Sequence, residues 1–395
     1  MIASLRTVWT HPPSRAVALV FALVSIFVGS WFARIPEVQA ALGLSEATLG
    51  LVLLGMPVGT LAVMPLTGWL VARWGAGTVT LVAALGQGLP FLLLPVVGHA
   101  LSLGGVLFGV GLVNGTLNVA MNARANAVEE RRGAAIMSTC HGFFSIGGMV
   151  GAGVGSAAAA VGLPMGGQYL FLIGGGALIV VTHRSGLLAG DDGHATGPVF
   201  AVPSSALLGL ALLLFCILLA EGSVSNWSAV YLRNGLGASP GIAGLGYGAF
   251  SAAMALGRLH GDHLLERHEA GRVVQVGALL AAGGLGAGVL VGHPLAGIAG
   301  FFVQGLGFAV LVPAVYRAAT QASEMAPGAS IAAVASAGYI GLFTGPPLLG
   351  FVADGVGLPG AIGMVALLAA IVALGAGPVF ARVGGWNRRR VERPT

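Results

Sequence analysis

Charged and Gly/Pro-rich breaks divide this chain into apolar stretches, most of them about twenty residues long or longer. One helix across a bilayer needs roughly 20 apolar residues, whereas the core of a soluble protein needs no runs of that length. The composition agrees, with 56% hydrophobic residues, 8% charged residues and a mean hydropathy of +0.92. We therefore expect an all-α membrane protein with twelve membrane-spanning helices, at residues 15–35, 46–71, 77–97, 101–124, 135–161, 167–185, 204–232, 240–260, 272–292, 295–318, 331–352 and 359–382.

The basic residues are distributed unevenly between the two ends of these predicted helices. All 18 are arginines, and only Arg34 and Arg233 lie in odd-numbered gaps between the apolar stretches. The others lie at the chain ends or border even-numbered gaps. Because short cytoplasmic loops are enriched in Lys and Arg, this pattern predicts an even number of crossings with both termini in the cytoplasm. It also explains the net charge of +5 better than binding to nucleic acid does.

The chain is expected to consist of two related halves. A polar loop at 186–203 is the longest break, and it separates a six-helix half at 1–185 from a second at 204–382, with a cytoplasmic tail at 383–395. The predicted fourth and tenth helices end at Arg124 and Arg317, and a Gly-rich helix follows each of them. Two pseudo-symmetric six-helix halves describe a large transporter architecture, whose substrate site lies between the halves near the membrane midplane.

Two ionisable side chains are predicted inside the membrane, where charge is costly and usually functional. Glu221 is the only carboxylate predicted well inside the membrane. A carboxyl group removed from water is costly to ionise, so it can take up a proton near neutral pH, as proton coupling requires. His141 shares a helical face with Ser138 and Ser145, and it could relay protons or bind a polar solute. The alternatives are a glutamate bonded to Ser225 at a helix break and a histidine that only joins two helices.

A polar stripe runs along the predicted fourth helix. Asn114, Asn118 and Asn122 recur at i+4, and their amides suit hydroxyl-rich or zwitterionic solutes. Interhelical hydrogen bonds, worth about 0.6 kcal/mol on average, are the alternative. Two of the remaining candidates, Trp31 and Trp227, could stack on the solute. The alternative is that they belong to an interfacial aromatic belt. These remaining candidates for the substrate site are Trp31, Ser145, Ser225, Trp227, Tyr247, Ser251, Gln304 and Tyr339.

Several stretches resemble the major facilitator superfamily over essentially the whole chain. GWLVARWG, from Gly68, is similar to its cytoplasmic-gate motif, with Ala72 where the family usually has aspartate. A fuller counterpart, GRLHGDHLLER, ends at Arg267 and retains Gly261 and Asp262. The resemblance is closest to a bacterial branch near the fucose-permease-like transporters. Four further stretches carry it: WFARIPEVQAALGLSEATLG, NVAMNARANAVEERRG, STCHGFFSIGGMVGAGVG and EGSVSNWSAVYLR.

The resemblance implies two halves that rock about a central site and expose it alternately to each side. Arg258 and Asp262 lie at i, i+4 and are expected to pair with the other half when the cytoplasmic side is closed. A solvated surface pair is the alternative. The full set of expected gate residues is Gly68, Arg73, Arg124, Arg258, Gly261, Asp262 and Arg267.

The leading functional hypothesis is a secondary transporter of the bacterial inner membrane that carries a small polar, sugar-like or otherwise hydrophilic solute. Protons, by symport, or the solute's own gradient would drive it. The alternatives are efflux of drugs or amphipathic metabolites and, remotely, an intramembrane enzyme or sensor. We expect no enzyme, cofactor or metal, and the absence of lysine argues against an ATP-driven pump, because the Walker motif needs a lysine. The expected partners are the solute, protons and the lipid bilayer; the chain is expected to be a monomer.

Overall fold

The first half of the chain forms six membrane-spanning segments. The computed structural model describes residues 8–190, 203–322, 325 and 327–391. The second segment is broken at Leu54, and the third ends in a 3-10 helix. The helices are α1 (Pro12–Leu42), α2 (Glu46–Leu53) with α3 (Gly55–Trp74), α4 (Ala76–Gly86) with the 3-10 helix Pro90–Val96, α5 (Ala100–Arg132), α6 (Met137–Ala160), α7 (Met165–Thr182) and the short α8 (Arg184–Leu188).

The second half repeats this arrangement. A π-helical turn at Tyr231–Gly235 follows its first helix, and Gly357, with a φ of 80°, separates its last two spans. Glycine adopts this left-handed conformation without the steric cost that a Cβ imposes. The helices are α9 (Leu208–Val230), α10 (Pro240–Ala243), α11 (Leu245–Arg267), α12 (Ala270–Val291), α13 (Pro294–Phe308) with α14 (Leu311–Gln321), and α15 (Pro327–Val391).

The predicted fold class is confirmed: this is an all-α membrane protein with twelve membrane-spanning helices in two pseudo-symmetric halves. Ten segments of the described residues are long and apolar enough to span a bilayer. One of them, Gly328–Val383, contains two spans. The twelfth helix is the less apolar Leu245–Arg267. Apolar side chains cover the outer surface; Leu101, Phe171 and Leu290 are 81%, 73% and 88% exposed. Lipid is the environment that such a surface requires.

Two predicted boundaries were wrong because buried arginines and prolines do not end these helices. The first helix was expected to end at residue 35, but it continues through Pro36 to Leu42. The fourth was expected to end at Arg124, but that side chain is fully buried inside α5, which runs to Arg132. The predicted tail from residue 383 is helical as far as Val391. Most of the predicted central loop, residues 191–202, lies outside the described residues.

The two ends of the bundle differ in charge. We call one the arginine-rich end and the other, with Arg34 and Arg233, the opposite end. The side chains that define the arginine-rich end are Arg15, Arg73, Arg131, Arg132, Arg184, Arg267, Arg272, Arg317 and Arg382.

Candidate functional site

A cavity of about 270 Å³ lies between the two halves. Helices α5 and α6 of the first half and α9, α11, α14 and α15 of the second half supply its lining. We call it the polar lobe, because it collects most of the polar side chains that the sequence singled out. Its polar residues are Asn118, His141, Ser145, Glu221, Ser225, Tyr247, Ser251, Arg258, Tyr316 and Tyr339.

The polar lobe contains one carboxylate and one guanidinium group. Glu221 is half-buried, and its carboxylate accepts no hydrogen bond from the described residues. Arg258 reaches from α11 across to the other half, where its Nη1 donates to Ser145 Oγ at 2.8 Å. Ser145 Oγ in turn donates to the backbone oxygen of His141 at 3.3 Å. The two opposite charges therefore face one lobe without pairing with each other in the part of the chain that the structure describes.

Aromatic and hydroxyl groups line the same region. The His141 ring meets Phe21 edge-on, with centroids 5.3 Å apart. The Tyr247 hydroxyl lies against the hydroxyls of Ser25 and Ser251. The three hydroxyl groups meet beside Gly148, which has no side chain to keep them apart. These hydroxyls come from both halves, so the wall of the lobe is itself an interface between them.

A second cavity of about 210 Å³ adjoins the first, and we call it the apolar lobe. Asn118, Ser225, Tyr339 and Leu342 line both lobes. Pro346 and Pro347 lack the N–H groups that would bond the carbonyls of Leu342 and Phe343, so this part of α15 is where the helix ladder is weakest. The other lining residues are Phe32, Leu53, Met56, Pro57, Thr60, Met64, Gly222, Asn226, Phe343 and Pro346.

The two halves meet closely on the side of these lobes toward the opposite end. Asn234 Nδ2 donates to Gln39 Oε1 at 3.0 Å. Gly50 packs so tightly on α15 that an added Cβ would lie 2.7 Å from the oxygen of Pro346. Phe32 and Tyr247 also meet edge-on across the halves, with ring centroids 4.9 Å apart.

The cavity is open toward the arginine-rich end. Asn118 and His141 are exposed there. Among the described residues, the hydrogen bond from Arg258 to Ser145 joins the two halves on this side of the cavity.

A separate cavity of about 700 Å³ lies at the opposite end, and Arg34 and Arg233 both line it. Arg34 is 2% exposed; it pairs with Glu37 at 2.6 Å and donates to Gln168 Oε1 at 2.9 Å and to the oxygen of Leu163 at 3.1 Å. These contacts tie α1 to the start of α7. Arg233 donates to the oxygen of Ala238 at 2.7 Å, within its own turn.

Five predicted cavity residues do not line either lobe. Trp31, Trp227 and Gln304 are fully buried between helices, and the indole of Trp227 donates to the oxygen of Pro346 at 3.1 Å.

Asn114 and Asn122 each donate to a carbonyl one turn earlier in α5. The predicted three-asparagine stripe therefore contributes only Asn118 to the cavity, since the other two amides bond their own helix.

The predicted gate residues are dispersed. Arg124 is buried within the first half, where it donates to the oxygens of Ala189 at 2.6 Å and Gly186 at 3.0 Å. Carbonyls at a helix end lack intrahelical partners, and a cation there is stabilised.

The other predicted gate residues lie apart from one another. Arg73 and Arg267 are exposed. A Cβ added at Gly68 would have no neighbour within 4 Å, whereas Gly261 packs on Val310. The Asp262 side chain lies outside the described residues.

Sequence reasoning missed several lining residues. Tyr316 was missed although the chain has only five tyrosines, three of which line the polar lobe; that scarcity could have identified it. Asn226 lines the apolar lobe. Met56, Met64 and the phenylalanines of that lobe carry no sequence signal, since apolar residues occur on every face of these helices.

Bundled helices around a central cavity are typical of membrane transport proteins, and relatives identify the family. A sequence model of the Major Facilitator Superfamily matches residues 210–393. An uncharacterized MFS-type transporter of Yersinia pestis is 36% identical over 91% of this chain and 93% of its own length. The uncharacterized transporter y4wD of Sinorhizobium fredii is 32% identical over 92% of this chain and 97% of its own length. The chain belongs to the major facilitator superfamily.

Solved structures share the fold. The nucleoside transporter NupG superimposes with a TM-score of 0.71 at 14% identity, over 93% of this chain and 98% of NupG. The fucose:proton symporter FucP of E. coli gives a TM-score of 0.62 at 16% identity, over 93% of this chain and 98% of FucP. At these identities the similarity establishes the fold and not the solute.

Proposed function

We propose that this protein is a secondary transporter that moves a small polar solute across the bacterial inner membrane by alternating access. The observation that carries the proposal is the cavity between the halves, which brings Glu221, Arg258 and His141 together inside a bundle of apolar helices. Charged groups inside a membrane bundle are costly, so those that occur there usually serve transport or coupling. We place the arginine-rich end and both termini in the cytoplasm because of the distribution of arginines. This structure then represents a state closed to the outside.

We propose Glu221 as the group that couples transport to protons. Among the described residues it is the only carboxylate that lines either lobe, and none of them donates a hydrogen bond to it. The titratable and charged groups that face the same lobe are His141, Tyr247, Arg258, Tyr316 and Tyr339. Of these, Arg258 donates to Ser145 and forms no ion pair with Glu221 among the described residues, so the carboxylate faces the cavity without a counter-ion in contact.

Replacing Glu221 by glutamine tests this coupling. The solute is first found by thermal-shift screening of purified protein against sugars, sugar acids, amino acids, nucleosides and common drugs, since a ligand that binds the folded state raises its melting temperature. We expect Glu221→Gln to abolish accumulation driven by a pH gradient in reconstituted vesicles, while counterflow exchange persists at saturating solute. Glu130→Gln, at an exposed position outside the cavity, is the matched control. Unchanged pH-driven accumulation in Glu221→Gln would remove this residue from the mechanism.

The apolar lobe favours a second candidate function, the efflux of amphipathic compounds. Such compounds need apolar surface in the binding site, and this lobe supplies it. Energised vesicles of opposite orientation distinguish the two: a proton gradient drives accumulation into inside-out vesicles for export and into right-side-out vesicles for uptake.

A further inference from the structure

The two charges of the polar lobe limit which solutes it can hold. Arg258 uses Nη1 on Ser145, and its other donors have no partner among the described residues. The Glu221 carboxylate has no hydrogen-bond or ion-pair partner in the same part of the chain. A solute with a single charge would pair with one of these groups and leave the other without a counter-ion inside the bundle, which is unfavourable. A zwitterion satisfies both, with its carboxylate on the planar guanidinium and its ammonium group on Glu221.

The apolar lobe has few free polar groups. Thr60 donates to the oxygen of Gly111 at 3.1 Å, and Asn226 donates to that of Gly222 at 2.8 Å. Ser225 likewise donates to the backbone of its own helix at 3.0 Å. Most of the remaining lining is Phe, Met, Leu and Pro, and methionines adapt to irregular apolar shapes. This chemistry suits an aromatic or branched aliphatic substituent.

The sizes of the lobes indicate that one ligand occupies both. Pockets for small molecules usually have volumes of about 300–1,000 Å³. The polar lobe, at about 270 Å³, and the apolar lobe, at about 210 Å³, each fall below this range, whereas together they lie within it. The stacked rings of Tyr339 and Phe343, with centroids 6.1 Å apart, extend from the shared boundary into the apolar lobe.

We infer that the solute is a zwitterion with an aromatic or branched apolar substituent. Its carboxylate lies on Arg258, its ammonium group lies on Glu221, and its substituent fills the apolar lobe. This inference rests on the proposed transport function and names the class of solute carried. It is narrower than the sugar-like or other hydrophilic solute expected from the sequence, because the structure removes Asn114 and Asn122 from the cavity wall.

Binding of matched probes to the purified full-length protein tests the inference. The probes are L-phenylalanine, glycine without the substituent, 3-phenylpropanoate without the ammonium group, 2-phenylethylamine without the carboxylate, and glucose. We expect L-phenylalanine to bind about tenfold or more tightly than any other, because each truncation leaves a charged or apolar group of the site without its partner.

Variants of the lobes should reorder the probes. Glu221→Gln should lower the affinity for L-phenylalanine and raise the affinity for 3-phenylpropanoate relative to it. Arg258→Gln should likewise favour the binding of 2-phenylethylamine. Met56→Trp, which fills the apolar lobe, should weaken the binding of L-phenylalanine without weakening the binding of glycine. Tighter binding of glucose or of a singly charged probe by the wild-type protein overturns the inference, and the proposed transporter then stands with another solute. If none of the five probes binds, the inference is likewise overturned, while the wider solute screen judges the transport function.

Discussion

The hydrogen bond from Arg258 to Ser145 joins the two halves beside the cavity. The donor is charged and Ser145 is 5% exposed, so this bond belongs to the stronger class of protein hydrogen bonds. Both residues lie on the helix pair α6 and α11, at the boundary between the closed side and the open side of the cavity. A single contact at this place can therefore affect the stability of the closed arrangement.

We expect Ser145→Ala to destabilise the protein. The substitution removes the acceptor of the charged donor, and the free energy of unfolding should fall by about 1–2 kcal/mol. Thermal unfolding in detergent measures the effect. Ser156→Ala is the matched control on the same helix, because the Ser156 hydroxyl is buried without a partner among the described residues, and its removal should be neutral or stabilising. Equal destabilisation by both changes would show that the Arg258 contact contributes nothing specific.

At the scale of elements, α2 and the middle of α15 approach each other without side chains between them. An added Cβ at Gly50 would lie 2.7 Å from the oxygen of Pro346, and one at Gly350 would lie 2.5 Å from that of Glu46. Small residues allow membrane helices to pack backbone against backbone. This contact joins the first half to the second on the side of the cavity toward the opposite end, so closure there depends on it.

We expect Gly50→Ala to hinder closure of the opposite end, because its Cβ meets backbone atoms that cannot rotate away. Transport in vesicles should fall strongly, and a cysteine placed at Asn234 should become more reactive toward a membrane-impermeant reagent. Gly105→Ala is the control, since an added Cβ there meets nothing within 4 Å. Unaltered reactivity and transport in Gly50→Ala would contradict the role of this contact.

At the scale of the whole molecule, orientation in the membrane decides which side the open cavity faces. The fold fixes only that the arginine-rich end and the opposite end lie on different sides of the bilayer. The charge bias assigns the arginine-rich end to the cytoplasm.

Labelling of single cysteines tests this orientation, in a background in which Cys140 and Cys216 are replaced. We expect Glu130→Cys to react with an impermeant maleimide only from the cytoplasm, and Gly98→Cys only from outside. Both positions are exposed, and they lie at the two ends of α5 or beside them. The reverse pattern would invert the orientation and make this structure a state closed to the cytoplasm.

The helices and the family could be predicted from the sequence, but the cavity could be predicted only in part. Glu221, His141, Tyr247 and Ser251 were recognised because polar groups are rare in membrane helices and must be buried or face a cavity, whereas Arg258 was expected at the cytoplasmic gate. The same argument failed for Gln304, since a polar side chain buried between helices and one lining a cavity give the same sequence signal.

The number of membrane-spanning segments, their approximate positions and the charge asymmetry of the two ends could be read from the amino-acid sequence. These properties depend on the length and composition of local segments, which the bilayer selects directly. The contacts across the halves became known from the three-dimensional structure: Arg258 with Ser145, Asn234 with Gln39, and Phe343 beside Asn118 in one lobe. Those contacts join residues far apart in the chain, and the rotation of each helix about its axis decides them. An apolar helix surface leaves that rotation unspecified.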